Sequence, residues 1–209
     1  MNANATPTPD RKPPSRWLRS ELPQLLLMVL LLAAARDSFA NHYYVPSGSM
    51  EHTLEIGDRV VVDMRAYGVR LPFTDLELME TGPPAAGDIA VFDSPEDGER
   101  LIKRVVAVAG DDVELVDGRL SINGVSRASI DDTDTELFRN HRATLNLAYG
   151  GGPDIHQLTI PVGQVLMLGD ARGNSHDGRF FGLVPANELY GRAIAVYYRR
   201  GDGFGWKKL

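Results

Sequence analysis

Leu101-Ile102-Lys103-Arg104-Val105-Val106-Ala107-Val108-Ala109 reads as one strand, apolar and β-branched, closed by Gly110-Asp111. Two charges interrupt it. Alternation along a strand puts Lys103 on the side of Leu101 and Val105, facing inward, and turns Arg104 outward to solvent. Between Lys12 and the pair Lys207–Lys208 there is no other lysine, although arginine is used freely. Arginine does not give up its proton in a protein, whereas a desolvated lysine does, so Lys103 is the cation that can become a base.

Further strands flank this one: Arg59–Asp63, Asp88–Phe92, Val113–Val116, Leu120–Ile122, Gln164–Leu168 and Ala193–Tyr198. Asp117-Gly118 and Asn123-Gly124 are type I′ hairpin signals. No useful helical periodicity follows residue 40. The expectation is a mostly β body of coiled antiparallel sheets or a partly open barrel, with a small β-ribbon or flap over residues 112–163. Residues 65–87 and 127–154 read as loops.

Composition narrows the functions. Without cysteine there is no disulfide, thiolate metal site or cysteine nucleophile. From Asn41 onward 17 basic side chains face 25 acidic ones, a balance of −8, which argues against nucleic acid. Acidic residues also lack the spacing of a calcium loop, and neither a metal nor another cofactor is expected.

The N-terminal part has a different character. Residues 1–16 read as a disordered tail, with Arg11, Lys12, Arg16 and Arg19 set before an apolar run from Leu25 to Ala35. With Leu22-Pro23-Gln24 the run spans about 21 Å as a helix, short of the roughly 30 Å hydrocarbon core. A secretory signal peptide, ending at Ser38-Phe39-Ala40, and a membrane anchor over 17–40, aided by Trp17 and a snorkelling Arg36, both fit. Both put residues 41–209 outside the cytoplasm. A buried core helix fits poorly, because the run is apolar on all faces.

Pro46-Ser47-Gly48-Ser49-Met50 offers a glycine-flanked hydroxyl upstream of the lysine. A serine becomes a good nucleophile when a base takes its proton. For Lys103 to serve, its pKa must fall from about 10.4 to near 7, a cost of about 4 kcal/mol, and burial supplies shifts of that size. Gly169-Asp170-Ala171-Arg172-Gly173-Asn174-Ser175-His176-Asp177-Gly178-Arg179 is dense in hydrogen-bonding groups, like a loop built to hold a site. Asp177 and Arg179, two apart in an extended segment, can pair bidentately, and Ser175 can bond a buried amine. Each piece alone has a plainer explanation: an edge-strand lysine, a turn serine, a polar surface loop.

In this order, the segments resemble type I signal peptidase, the membrane-bound Ser/Lys endopeptidase of bacteria. The match runs through Pro46–Met50, Thr53-Leu54, Gly57-Asp58, Gly87-Asp88-Ile89, Ile102–Val106, Gly110-Asp111 and Gly169–Arg179, then Gly182 and Val184-Pro185. The resemblance implies Ser49 as nucleophile and Lys103 as general base. It implies an oxyanion hole from the Ser49 amide and the Ser47 hydroxyl, Ser175 orienting the lysine, and Asp177 with Arg179 bracing the loop. Val45, Pro46, Met50, Val60 and Ile102 would bind substrate. The implied partners are preproteins with signal peptides, and membrane lipid. The implied location is the inner (plasma) membrane, single-pass, with an uncleaved anchor, a cytoplasmic N-terminus and a periplasmic body. Departures occur at His52 and Ala109, where the family has proline, and at Ala171 and Gly173, where it has polar residues. Three other functions stay in play. One is a Ser-His-Asp hydrolase using His42, His52, His141, His156 or His176, although no Gly-x-Ser-x-Gly elbow is present. The others are a relative dedicated to one secretion or pilus client, and a non-catalytic tethered β-module.

Overall fold

The computed structural model describes residues 21–29, 40–70 and 77–209. Residues 21–29 are helical (α1), with Leu22, Leu25, Leu26, Leu27, Met28 and Val29 exposed. Among the described residues no helix is long and apolar enough to cross a membrane. The expected tail and most of the expected anchor lie outside those residues.

The body is mostly β. Its main sheet runs β1 (Ala40–Tyr44), β2 (Arg59–Asp63), β15 (Gly191–Arg199), β5 (Ile89–Asp93), β6 (Arg100–Val108), β13 (Gln164–Leu168), β14 (Val184–Pro185), with β16 (Gly203–Lys208) on β15. Every ladder in it is antiparallel. The path ends at β1 and β14, so the sheet is open and not closed as a barrel. A second sheet, in the order β12 (Ile155–Thr159), β7 (Asp112–Val116), β8 (Arg119–Ile122), β9 (Val125–Ser126), forms the ribbon region. Asp117, Gly118, Asn123 and Gly124 all take positive φ, as type I′ turns require. Candidate bond Ala40–Asn41 lies inside β1, where Ala40 pairs with Asp63 and Asn41 with Val62.

Both stretches read as loops contain short strands. β3 (Gly68–Arg70) pairs with β4 (Glu77–Glu80), and β10 (Thr135–Leu137) with β11 (Arg142–Thr144). Their three- and four-residue lengths and polar residues hide them from a periodicity reading. The one α-helix of the described body, α2 (Gly178–Phe181), spans a single turn.

Apolar surface is buried in three clusters around β6, which explains its nearly continuous apolar sequence. Val105 packs with Phe92, Val165 and Met167. Val106 and Ala107 pack with Leu115, Leu120 and Leu168. Ile102 lies against Val45, Val60 and Val91. Since β6 is covered on both faces, it has no solvent side for Arg104, and the expectation of an outward arginine is wrong. Arg104 is 1% exposed and bonds Asp170 through Nε (2.9 Å) and Nη2 (2.7 Å), and Gly87 O through Nη1 (2.7 Å). Breaking a buried pair from one side leaves the other charge uncompensated. Arg104→Met is therefore expected to cost about 3–5 kcal/mol of unfolding free energy, read from the midpoint of a urea titration.

Candidate active site

Ser49 sits in the 3-10 turn Gly48–Met50, directly after β1 and a short extended link. The link is tied down at Val45, whose N–H donates to Asp58 O and whose C=O accepts from Gly57 N, both at 2.9 Å. Downstream, Met50 and Leu54 are fully buried and pin the turn from below. Lys103 reaches it from β6, 54 residues away in sequence: Nζ donates to Ser49 Oγ at 2.6 Å, and both residues are buried.

Burial is the largest influence on that amine and pushes its pKa down to about 8; Asp177 and Asp170 pull it up and Arg179 pushes it down. Desolvation disfavours the ammonium by removing its water, and it outweighs the pull of the nearby carboxylates. A neutral fraction is therefore present near neutral pH, 2.6 Å from the hydroxyl whose proton it can take.

The third wall is the segment after β13. Gly169 passes so close to the serine turn that a Cβ there would lie 2.5 Å from Ser49 O and 2.2 Å from Ser175 Oγ. Ala171 N donates to Ser49 O at 3.1 Å. Asp177 caps α2 and accepts from Gly169 N at 2.9 Å. Its carboxylate meets Arg179 through Nε and Nη2, both at 2.8 Å. Burial tends to raise the Asp177 pKa, but the guanidinium and the Gly169 amide outweigh it and hold it below the usual carboxylate range. The expected pair thus forms, at a helix N-terminus where an extended segment was anticipated. Arg179 also donates to Gly151 O and Arg172 O, both at 2.6 Å.

Other expected residues fall as follows. Ser47 Oγ lies 3.4 Å from Ser49 Oγ, on the exposed side of the turn. Ser175 is buried beside Gly169, yet its Oγ has no hydrogen-bond partner among the described residues, so no bond joins it to Lys103 here. Val45, Met50, Val60 and Ile102 share one apolar cluster, with Ile102 only partly buried, while Pro46 is exposed. No histidine hydrogen-bonds Ser49 among the described residues: His141 faces Asp88 at 3.6 Å and His176 faces Glu96 at 2.7 Å. That removes the basis for a Ser-His-Asp site.

A family model described as "Signal peptidase, peptidase S26" matches residues 17–198. The chain belongs to this family. It is accordingly a serine endopeptidase. Signal peptidase I of Pseudomonas fluorescens is 36% identical over 83% of this chain and 69% of its own length, and that of Pseudomonas aeruginosa 35% identical over the same shares. A crystal structure of a signal peptidase I from Enterococcus faecalis aligns with a TM-score of 0.37 at 32% identity, covering 53% of this chain and 97% of that one.

Sequence reasoning missed Arg104, Thr53, Glu136, Arg172 and Asn146 as parts of the site's frame. Thr53 Oγ1 donates to Asp170 Oδ2 at 2.5 Å, and Asn146 N to Asp170 O at 2.9 Å. Gly169-Asp170 and Lys103-Arg104 carried a signal in their motifs; Glu136, in a polar stretch, carried none.

The lowered Lys103 pKa has a thermodynamic consequence. Unfolded, the amine keeps its proton up to about pH 10.5; folded, only to about 8. Between these values the unfolded state holds the extra proton, so this group makes stability rise with pH across that window. The difference in unfolding free energy between wild type and Lys103→Met is expected to change by about 3 kcal/mol from pH 8 to pH 10.5, followed by denaturant titrations at several pH values.

Proposed function

We propose that this chain is a membrane-bound serine endopeptidase that removes N-terminal signal peptides from exported preproteins after small-x-small sites. The carrying observation is the 2.6 Å contact from a buried lysine Nζ to a serine Oγ, in a chain of the signal peptidase family. Ser49 acts as nucleophile. As its Oγ attacks the scissile carbonyl carbon, its proton passes to neutral Lys103. The tetrahedral oxyanion is met by the Ser49 N–H and the Ser47 hydroxyl; donors in such holes contribute about 3–4 kcal/mol each. The Lys103 ammonium then protonates the leaving amine as the C–N bond breaks. Water, deprotonated by the same amine, releases the acyl group from Ser49 and restores both residues.

Ser175, buried beside Gly169, orients Lys103, and Asp177 with Arg179 braces its loop. The leader chain docks on the outer edge of β1, which among the described residues pairs only with β2. Because Val45 bonds inward with both backbone groups, alternation leaves those of Tyr44 and the Pro46 carbonyl for the substrate strand. Small side chains enter over Ile102 and the apolar floor of Val45, Met50 and Val60. Residues 17–40 form a single-pass anchor, the tail 1–16 is cytoplasmic, and the body 41–209 is periplasmic, with 112–163 as its ribbon extension. Lipid and preprotein are the partners.

Incubation of the full chain with a preprotein, with the product located by mass spectrometry, is expected to give one cut after a small residue at the end of the leader. Ser49→Ala and Lys103→Met should each slow it by at least about a thousandfold. Replacing the five histidines should leave cleavage in place. The rate of the wild type should rise with pH around 8, as Lys103 loses its proton. A cut that survives in Lys103→Met, or a rate flat from acid to alkali, contradicts the assignment.

A further inference from the structure

Glu136 lies on β10, outside every motif that the sequence offers, and is 1% exposed. A fully buried carboxylate needs a partner, and this one has Arg172, at the centre of the segment after β13. Nη2 donates to Oε2 at 2.6 Å and Nη1 to Oε1 at 3.1 Å, with both side chains shielded from water. Oε1 also accepts from Leu120 N at 3.1 Å, so the carboxylate is fixed to β8 as well.

Arg172 passes that fixation on. Its Nε donates to Gly169 O at 3.0 Å, its Nη1 to Gly118 O in the β7–β8 turn, and its own carbonyl accepts from Arg179 at 2.6 Å. Gly169 passes so close to Ser49 that it has no room for a Cβ, and Ala171 N holds Ser49 O. Asn146, just past β11, adds a parallel link: its N–H bonds Asp170 O at 2.9 Å and its side-chain amide bonds Glu51 at 3.3 Å. A fork–fork Arg–carboxylate pair sets direction as well as distance, which suits it to fixing a backbone.

We propose that Glu136 is a positioning residue of the active site: through Arg172 it holds residues 169–172 against the Ser49 turn. The 112–163 region is then a part of the catalytic frame, not a flap laid over the substrate. This rests on the reading of Ser49 and Lys103 as nucleophile and base. It makes a specific kinetic prediction. Residues assigned to substrate, Val45, Val60 and Ile102, belong to a different cluster from the one lined by β7 and β8. Loss of the Glu136 charge should spare binding and slow the chemical steps. Loosening the loop also lets water reach Lys103, whose charged neighbours are Asp177, Asp170, Arg179 and Glu99.

The test uses full-length protein and a fluorogenic preprotein peptide, with Ser49→Ala as the blank. Glu136→Gln is expected to lower kcat at least about tenfold with KM within about twofold, and to move the rise of kcat with pH upward by at least about half a pH unit. Glu114→Gln, an exposed carboxylate on neighbouring β7, should match wild type. Should Glu136→Gln lose its cooperative thermal transition, Arg172→Lys makes the same test, keeping the charge but not the fork. A wild-type kcat and pH profile in the folded variant, or an effect confined to KM, overturns the proposal. Inactivity of the wild-type protein itself overturns the reading beneath it, which separates the two failures.

Discussion

An ammonium ion is most stable where water surrounds it, and Lys103 is placed where water does not reach. Everything nearby follows from that constraint. Ser49 can serve as a hydrogen-bond acceptor to the amine only because the turn that carries it is pressed against β6. The turn stays there because Ala171 and Gly169 close over it from the other side. The enclosure costs folding energy at neutral pH, since the unfolded chain holds that proton more tightly. Active sites commonly sacrifice stability in this way for reactivity.

Around the amine stand three arginine–carboxylate pairs: Arg104–Asp170, Arg172–Glu136 and Arg179–Asp177. Each is a charge pair with little or no exposure, and each includes a residue from the segment 170–179. In water such pairs contribute little; buried and bidentate, they specify geometry because any other arrangement strands a charge. Desolvation is the largest influence on Lys103 and lowers its pKa against the pull of Asp177 and Asp170.

Much of this was legible in the residues. The lone lysine in an apolar strand, the glycine-flanked serine and the loop after β13 marked the site, and Asp-Gly and Asn-Gly marked the turns. Where the reading failed, a local rule met a tertiary fact. Alternation sends Arg104 to solvent only if one face of β6 is free, and neither face is. The spacing of Asp177 and Arg179 was right, but the cap of α2 brings them together. β10 and β11 are too short and polar to announce themselves, and Glu136 vanished with them. Ser175 was read as a partner of the lysine; it is buried beside Gly169, and no hydrogen bond joins the two here.

The distribution of the site along the chain has its own meaning. Ser49 and Lys103 stand 54 residues apart in sequence, and Arg104 and Asp170 stand 66 apart. Contacts this distant in sequence form late, after the loops between them have closed. Before that, the lysine is an ordinary solvated cation and the serine an inert alcohol. A half-made chain therefore carries no protease. Assembly of the sheet is itself the event that brings the two groups together.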